Sequence, residues 1–249
     1  MEWRERDGVR WLQADLEGAH AAFTTRLGGV SAAPFDELNL GVLTDDDDRA
    51  VVVNRERLAA ALGLEPAQVL IGRQVHGAAL AFHAGPQGPS PFALPGSPIP
   101  EVDGHAVAAP GLAPLVFVAD CLPVALRGPG GVAMLHCGWR GLAAGIVAAG
   151  AAAVGAGAAA IGPGIGPCCY EVGDEVLDAF APLGDGIAAG RMLDLPEVAR
   201  RLLRGAGVER VESAGLCTRC EAELFFSHRR DRGRTGRQAG LAWLEPGEG

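Results

Sequence analysis

The chain has 249 residues, of which 49% are hydrophobic, 5% aromatic and 20% charged. That supports one substantial core or two small ones fused, and it does not fit a disordered chain. A formal net charge of −9 argues against a general nucleic-acid binder, which needs a dominant basic surface. All 21 basic residues are Arg. This excludes Schiff-base lysine chemistry and a Walker-type phosphate lysine, and leaves Arg, backbone N–H groups or a metal to hold any anion.

In chain order, Met1 to Asp7 carries no apolar stretch of the signal-peptide kind, so the cytosol is the expected compartment. The six cysteines, Cys121, Cys137, Cys168, Cys169, Cys217 and Cys220, are then expected as thiols or metal ligands, not disulfides. Residues 9–16 and 19–25 read as short strands, and 49–62 as a helix stopped by Gly63. Val69-Leu70-Ile71 opens a strand that leads to Arg73-Gln74-Val75-His76-Gly77. Residues 84–101, with six Pro and three Gly, read as a loop or internal linker.

Residues 114–126 read as strand, Gly128-Pro129-Gly130-Gly131 as a turn and 132–136 as the returning strand. From Gly141 to Tyr170 there is no charge, a length that meets the rule for a membrane span. Its middle is almost all Ala and Gly, with Pro163 and Pro167 near the end, so it reads instead as a buried helix over 142–154, a short strand and a Gly/Pro turn. Asp174 is expected to cap a helix over 175–182, and a further helix covers 196–205. Strands at 208–213 and around 223–228 close the series. Strands and helices mix without a regular βαβ repeat, which points to an α+β or mixed-sheet α/β fold.

The chemistry concentrates in Ala119-Asp120-Cys121-Leu122-Pro123 and His136-Cys137-Gly138-Trp139-Arg140-Gly141. If the turn closes about Gly128-Pro129, Arg127 faces Gly130 and Cys121 stands opposite His136, on one face of the hairpin. His76, at a polar exit from its strand, is the third candidate. Two His and one Cys make a three-ligand set with an open fourth position, as in catalytic zinc sites; the same residues also fit a buried Cys with two hydrogen-bonded core His. Gly138-Trp139-Arg140-Gly141, between strand and helix, offers N–H groups and a guanidinium to an oxyanion or phosphate, or is a tight turn with Arg140 in solvent.

Other motifs carry less. Gly162-Pro163-Gly164-Ile165-Gly166 reads as a structural turn, and Asp45 to Asp48 as a solvated acidic run. Cys217-Thr218-Arg219-Cys220 is one isolated C-x-x-C pair without a thioredoxin-like context, and Cys168-Cys169 reads as packing around a turn. Arg229, Arg230, Arg232, Arg234 and Arg237 form a basic patch, either a solvated or interface face or a phosphate contact. His20, His83 and His105 read as structural or exposed, with His105 the reserve ligand. His228 is assigned no chemistry, and Asp120 is read as support for an imidazole.

Several segments together resemble one family. They are Thr24-Thr25-Arg26 with Gly28-Gly29-Val30-Ser31, Leu38-Asn39-Leu40-Gly41, Gln74-Val75-His76-Gly77, Ala119 to Val124, His136 to Gly141, Ile161-Gly162-Pro163 through Cys168-Cys169-Tyr170-Glu171-Val172, and Phe225-Phe226-Ser227 through Thr235-Gly236-Arg237-Gln238. In this order, over residues 20–243, they are similar to the YfiH-like purine nucleoside phosphorylase family, also called the laccase-domain or polyphenol oxidase family. The resemblance implies one domain over 1–249 with α/β/β/α layers and mixed sheets. It implies zinc on His76, Cys121 and His136, and substrate binding by Arg26, Asn39 and Arg140. The implied reactions are phosphorolysis of adenosine, inosine and S-methyl-5′-thioadenosine to base and sugar 1-phosphate, and deamination of adenosine. The implied partners are small molecules (nucleoside and phosphate), with no nucleic acid or membrane. The chain departs from the family in the long Pro-rich segment 84–101, in His105 where an apolar residue is expected and in His228 where Tyr is common; all three bear on substrate preference.

Three other functions compete. Two His and one Cys also describe copper, and so a phenol oxidase, but a multicopper centre needs many more His than the six present. Cys121 with His136 as base fits an amide hydrolase editing peptidoglycan precursors. Zinc as a staple in a binding module is opposed by the open ligand position.

Overall fold

The computed structural model describes residues 1–85, 90–94 and 97–245. The sequence reading of 84–101 as a loop therefore lies partly outside the described residues. The chain forms, in order, β1 (Glu2–Arg6), β2 (Val9–Asp15), β3 (Ala19–Thr24), α1 (Asp48–Leu62), β4 (Val69–Leu70), β5 (Leu80–His83), β6 (Gly104–Val107), β7 (Ala113–Val118), β8 (Leu122–Gly128) and β9 (Gly131–Cys137). It continues with α2 (Trp139–Ala143), α3 (Ile146–Val154), β10 (Ala158–Ile161), α4 (Asp174–Phe180), β11 (Ala188–Ala189), β12 (Met192–Leu193), α5 (Leu195–Gly205), β13 (Arg210–Ser213) and β14 (Gln238–Leu244).

Two six-stranded sheets carry the fold, in the orders β1-β2-β3-β14-β7-β4 and β13-β10-β8-β9-β6-β5. Both are mixed: β4–β7, β5–β6 and β10–β13 pair parallel, and the other ladders run antiparallel. Alternate side chains of each strand separate the layers. Leu12, Phe23, Val116, Val132, Met134 and Ala160 pack between the sheets. Leu122, Val124, Leu126 and Leu135 turn outward under α3 and α5. On the far side, Trp11, Ala22, Leu115 and Leu241 meet Leu58 and Ala61 of α1. The result is the expected α/β/β/α stack with mixed sheets.

The sheets approach closely. A Cβ at Gly240 would stand 2.5 Å from Pro123 Cβ and 3.1 Å from Met134 Sδ, so β14 rests directly on the β8–β9 hairpin.

Several expected elements shift. Residues 114–126 are two strands in different sheets, broken at Ala119-Asp120-Cys121, where Asp120 takes a φ of 97°. The hairpin turns over Pro129-Gly130, pairing Gly128 with Gly131 and Arg127 with Val132. His136 therefore faces Pro123, and Cys121 lies one residue before the ladder begins. The slip is two residues, which keeps Cys121 and His136 on the same face. The helix expected over 142–154 starts earlier and divides at Gly145, whose φ of 92° no helix accommodates. Asp174 is the first residue of α4, with Gly173 as its cap. Residues 223–228 form no strand: Phe226 exchanges both backbone groups with the Gln238 side chain instead of a ladder. β1, β5, β6, β11, β12 and β14 go unread in the sequence.

The close sheet contact generates a prediction. Gly240→Ala should lower unfolding stability by about 1–3 kcal/mol, because the added methyl overpacks a backbone-close interface. An unchanged urea midpoint would contradict this.

Candidate metal centre and cavity

The crossing from β7 to β8 positions Cys121 at the rim where the two sheets meet, beside the end of β9 that carries His136. His76 arrives on the loop between β4 and β5 with a φ of 61°, a left-handed conformation rare for a residue with a side chain. The donor atoms of His76, Cys121 and His136 lie within 4.8 Å of one another. The two imidazoles meet edge to face, with ring centroids 4.9 Å apart.

Asp103 fixes this arrangement. It is fully buried, and its carboxylate accepts from His76 N at 2.9 Å, Gly77 N at 2.8 Å and Val75 N at 3.1 Å. Its Oδ1 also lies 2.8 Å from His136 Nδ1. That contact leaves Nε2 as the free nitrogen of His136, and the three amide bonds bend the His76 loop into its left-handed turn. Burial works against the Asp103 carboxylate charge, but the His136 and amide hydrogen bonds more than offset it and lower its pKa. Nearby, Gln74 clamps the loop to β7 through paired bonds with Phe117 N and O, each 2.8 Å long.

The protein environment favours charge separation within the cluster. Burial would raise the Cys121 thiol, yet the charge and hydrogen bond of His136, with His76 behind them, pull it down to about 6. Burial would lower His136, but the Cys121 sulfur and Asp103 push it up to about 9. A thiolate is the metal-binding form of Cys. The donor set also leaves room for an ion: a Cβ at Gly138 would stand 2.9 Å from Cys121 Sγ and 3.3 Å from His76 Cδ2, so only a glycine keeps that space clear. Two imidazoles and a thiolate fit a borderline metal such as zinc or copper.

A cavity of about 420 Å³ opens over the cluster, a size suited to a small-molecule ligand. Its walls include Gly41–Thr44, Phe117, Trp139 and Tyr170. Four arginines, Arg73, Arg140, Arg229 and Arg237, also line it. Arg140 lies over the Trp139 ring at 4.4 Å and Arg229 over Tyr170 at 5.3 Å.

The structure places the sequence candidates unequally. His76, Cys121, His136 and Arg140 meet at the cavity. Arg26 and Asn39 are not among its lining residues. Arg26 bonds to the Asp36 carbonyl at 2.6 Å and its carboxylate at 3.0 Å, and stacks on Phe226 at 4.6 Å. Asn39 is fully buried; it accepts from Gly41 N at 3.1 Å and Arg237 N at 2.8 Å and donates to Thr44 Oγ1 at 2.9 Å. It shapes the 41–44 rim and seats Arg237 without facing the cavity. Asp120 supports no imidazole: its carboxylate accepts from Thr218 Oγ1 and Arg229 N, both at 2.7 Å. His105 pairs with His83 at 3.1 Å, outside the cluster.

Sequence reading missed Asp103, which stood in a segment noted only for His105. Its one signal is an acid just before a short apolar strand. His228 was given no role, and Arg229 and Arg237 were read only as part of a patch; all three line the cavity.

Comparison with known proteins places the chain in a family. A family model described as multi-copper polyphenol oxidoreductase laccase matches residues 20–245. Purine nucleoside phosphorylase SCO2081 of Streptomyces coelicolor is 42% identical, over 92% of this chain and 97% of its own. Purine nucleoside phosphorylase YfiH of Escherichia coli is 37% identical, over 94% and 97%. The crystal structure of YlmD from Geobacillus stearothermophilus superposes with a TM-score of 0.88 at 35% identity, covering 98% of each chain. No helix of the described residues is long and apolar enough to cross a membrane. With a family match across most of its length and relatives aligned nearly end to end, the chain belongs to the polyphenol-oxidoreductase laccase family, a family of enzymes whose relatives named here are purine nucleoside phosphorylases.

Proposed function

We propose that this protein is a zinc-dependent purine nucleoside phosphorylase acting on adenosine, inosine and S-methyl-5′-thioadenosine, with adenosine deaminase as a second activity. The observation that carries the reading is the meeting of His76, Cys121 and His136 in the wall of a cavity ringed by four arginines. On a chain with a net charge of −9, such a concentration of guanidinium groups is a site for an anion. Zinc held by His76, Cys121 and His136 would supply a Lewis acid with one position left for water or substrate.

In phosphorolysis a phosphate oxygen bonds to the anomeric carbon, the bond from that carbon to the purine nitrogen breaks, and the purine leaves with the electron pair and takes a proton. Arg140 is assigned to phosphate, with Arg229 and Arg237 beside it. Holding the anion in line, and neutralising the charge that develops on the leaving purine, lowers the barrier without any covalent enzyme intermediate. Asn39 contributes by shaping the cavity rim. For deamination, water attacks C6 of adenine and ammonia leaves.

A phenol oxidase with several coppers has less support: among the described residues, His76, Cys121 and His136 form the single His-containing cluster of three or more ligands. A Cys–His amide hydrolase has one observation in its favour, the line from Cys121 to His136 to Asp103, which matches the nucleophile, base and orienting acid of such enzymes.

Incubation with adenosine, with and without phosphate, separates these readings. Adenine formed only with phosphate is the expected main product, with some inosine. Absence of both, with a covalent adduct trapped at Cys121 by an amide substrate, would overturn the proposal. In the same assay Arg140→Ala should raise the KM for phosphate about 10- to 100-fold, as expected for losing a charged hydrogen bond worth about 1.5–3 kcal/mol. Asp103→Asn should weaken zinc binding at this centre about 10- to 100-fold, because the amide cannot serve the imidazole and three N–H donors together. Chelator competition measures the affinity, and an unchanged value would contradict the assignment.

A further inference from the structure

The remaining cysteines gather at a second place. Cys168 and Cys169 lie between β10 and α4, and Cys217 and Cys220 follow β13. β10 and β13 are parallel neighbours, so both segments leave the same end of the sheet. The sequence reading kept Cys168-Cys169 and Cys217-x-x-Cys220 apart, one as packing and the other as an isolated pair; the topology joins them. All four Sγ atoms lie within 4.8 Å of one another. Cys220 Sγ is 3.5 Å from both Cys168 Sγ and Cys169 Sγ, and all four residues are free thiols.

The surrounding backbone is arranged around these sulfurs. Gly166 N donates to Cys217 Sγ at 3.3 Å, a bond that stabilises a thiolate. Thr218 N donates to Gly164 O at 3.0 Å, which ties the two segments together, and Cys169 N donates to Gly166 O at 3.0 Å, which closes the turn carrying Cys168 and Cys169. A Cβ at Gly166 would stand 3.4 Å from Cys217 Cβ and 3.6 Å from Cys168 Sγ, so this turn lies directly against the cluster.

We propose that Cys168, Cys169, Cys217 and Cys220 form a tetrahedral zinc site, separate from the centre at His76, Cys121 and His136. Zinc–sulfur bonds of about 2.3 Å place tetrahedral sulfurs about 3.8 Å apart, in the range found here. The sulfurs are too close to enclose a cuboidal iron–sulfur cluster. Four protein ligands close the coordination sphere, which is the pattern of a structural ion. On binding, the four thiols release their protons and the site carries a net charge of −2. Cys168 and Cys220 are exposed, so water solvates that charge. The ion clamps together the turn leading to Tyr170 and the segment whose Thr218 and Arg229 hold Asp120, next to Cys121. It is a positioning element for the cavity wall and touches no substrate.

The test is zinc stoichiometry on the full chain purified anaerobically with reductant. Cys217→Ser/Cys220→Ser should lose one equivalent of zinc relative to the parent. His76→Ala/Cys121→Ala/His136→Ala should retain that equivalent, so the result is independent of what occupies the other centre. Alkylation of the unaltered protein gives a second readout that requires no variant to fold. Cys168, Cys169, Cys217 and Cys220 should resist iodoacetamide until a chelator is added. Free alkylation of all four without chelator, zinc content unchanged in Cys217→Ser/Cys220→Ser, or a disulfide among the four in the reduced preparation would each overturn the site.

Discussion

The buried carboxylate of Asp103 is the constraint on which the centre depends. It holds one imidazole directly, through His136 Nδ1, and the other indirectly, through three amides of the loop that bears His76. A buried acid is costly unless its lone pairs are filled, and here four donors fill them. The same bonds supply the backbone strain at His76: a left-handed conformation costs an ordinary residue energy, and the amide–carboxylate contacts offset it. The protein's own hydrogen bonds thus orient both imidazoles.

The sandwich supplies the third ligand and the cavity. One continuous stretch leaves the first sheet as β7, turns at Asp120 and enters the second as β8. Cys121 sits at that turn, and Asp120 is tied to Thr218 and Arg229 from the far end of the chain. The cavity wall opposite is formed by the 41–44 rim, which α1 steadies through Asn54 bonded to Asn39 O at 2.9 Å and Arg55 bonded to Leu40 O at 3.0 Å. Two buried polar networks, one behind each wall, hold the cavity open between the sheets.

Much of this was legible in the sequence. The helix 49–62 and the strands 9–16 and 19–25 carry strong periodicity and clear stops, and they form within a residue or two. His76, Cys121, His136 and Arg140 stand out because their residue types are chemically distinctive in otherwise apolar or glycine-rich surroundings. What was hidden depends on tertiary context. The strand run 114–126 is apolar except at Asp120, and a single acid does not announce a change of sheet. β14 follows directly on the basic patch, which masks where the strand begins. The hairpin register differs by two residues because a two-residue loop at Gly128-Pro129 and one at Pro129-Gly130 look alike in Gly-Pro-Gly-Gly. Arg26 and Asn39 sit in motifs that resemble a binding site, yet their hydrogen bonds face inward to the protein. Asp103 was unreadable as a partner of residues 27 and 33 positions away.

The proposed centre is a metal held by two imidazoles and one thiolate, organised by Asp103, with a free coordination position. X-ray absorption at the zinc edge, on protein carrying Cys217→Ser and Cys220→Ser, tests it most directly. The expected coordination shell is one sulfur with light nitrogen or oxygen atoms, two of them from imidazole. A shell without sulfur, or protein that takes up no zinc, would contradict it.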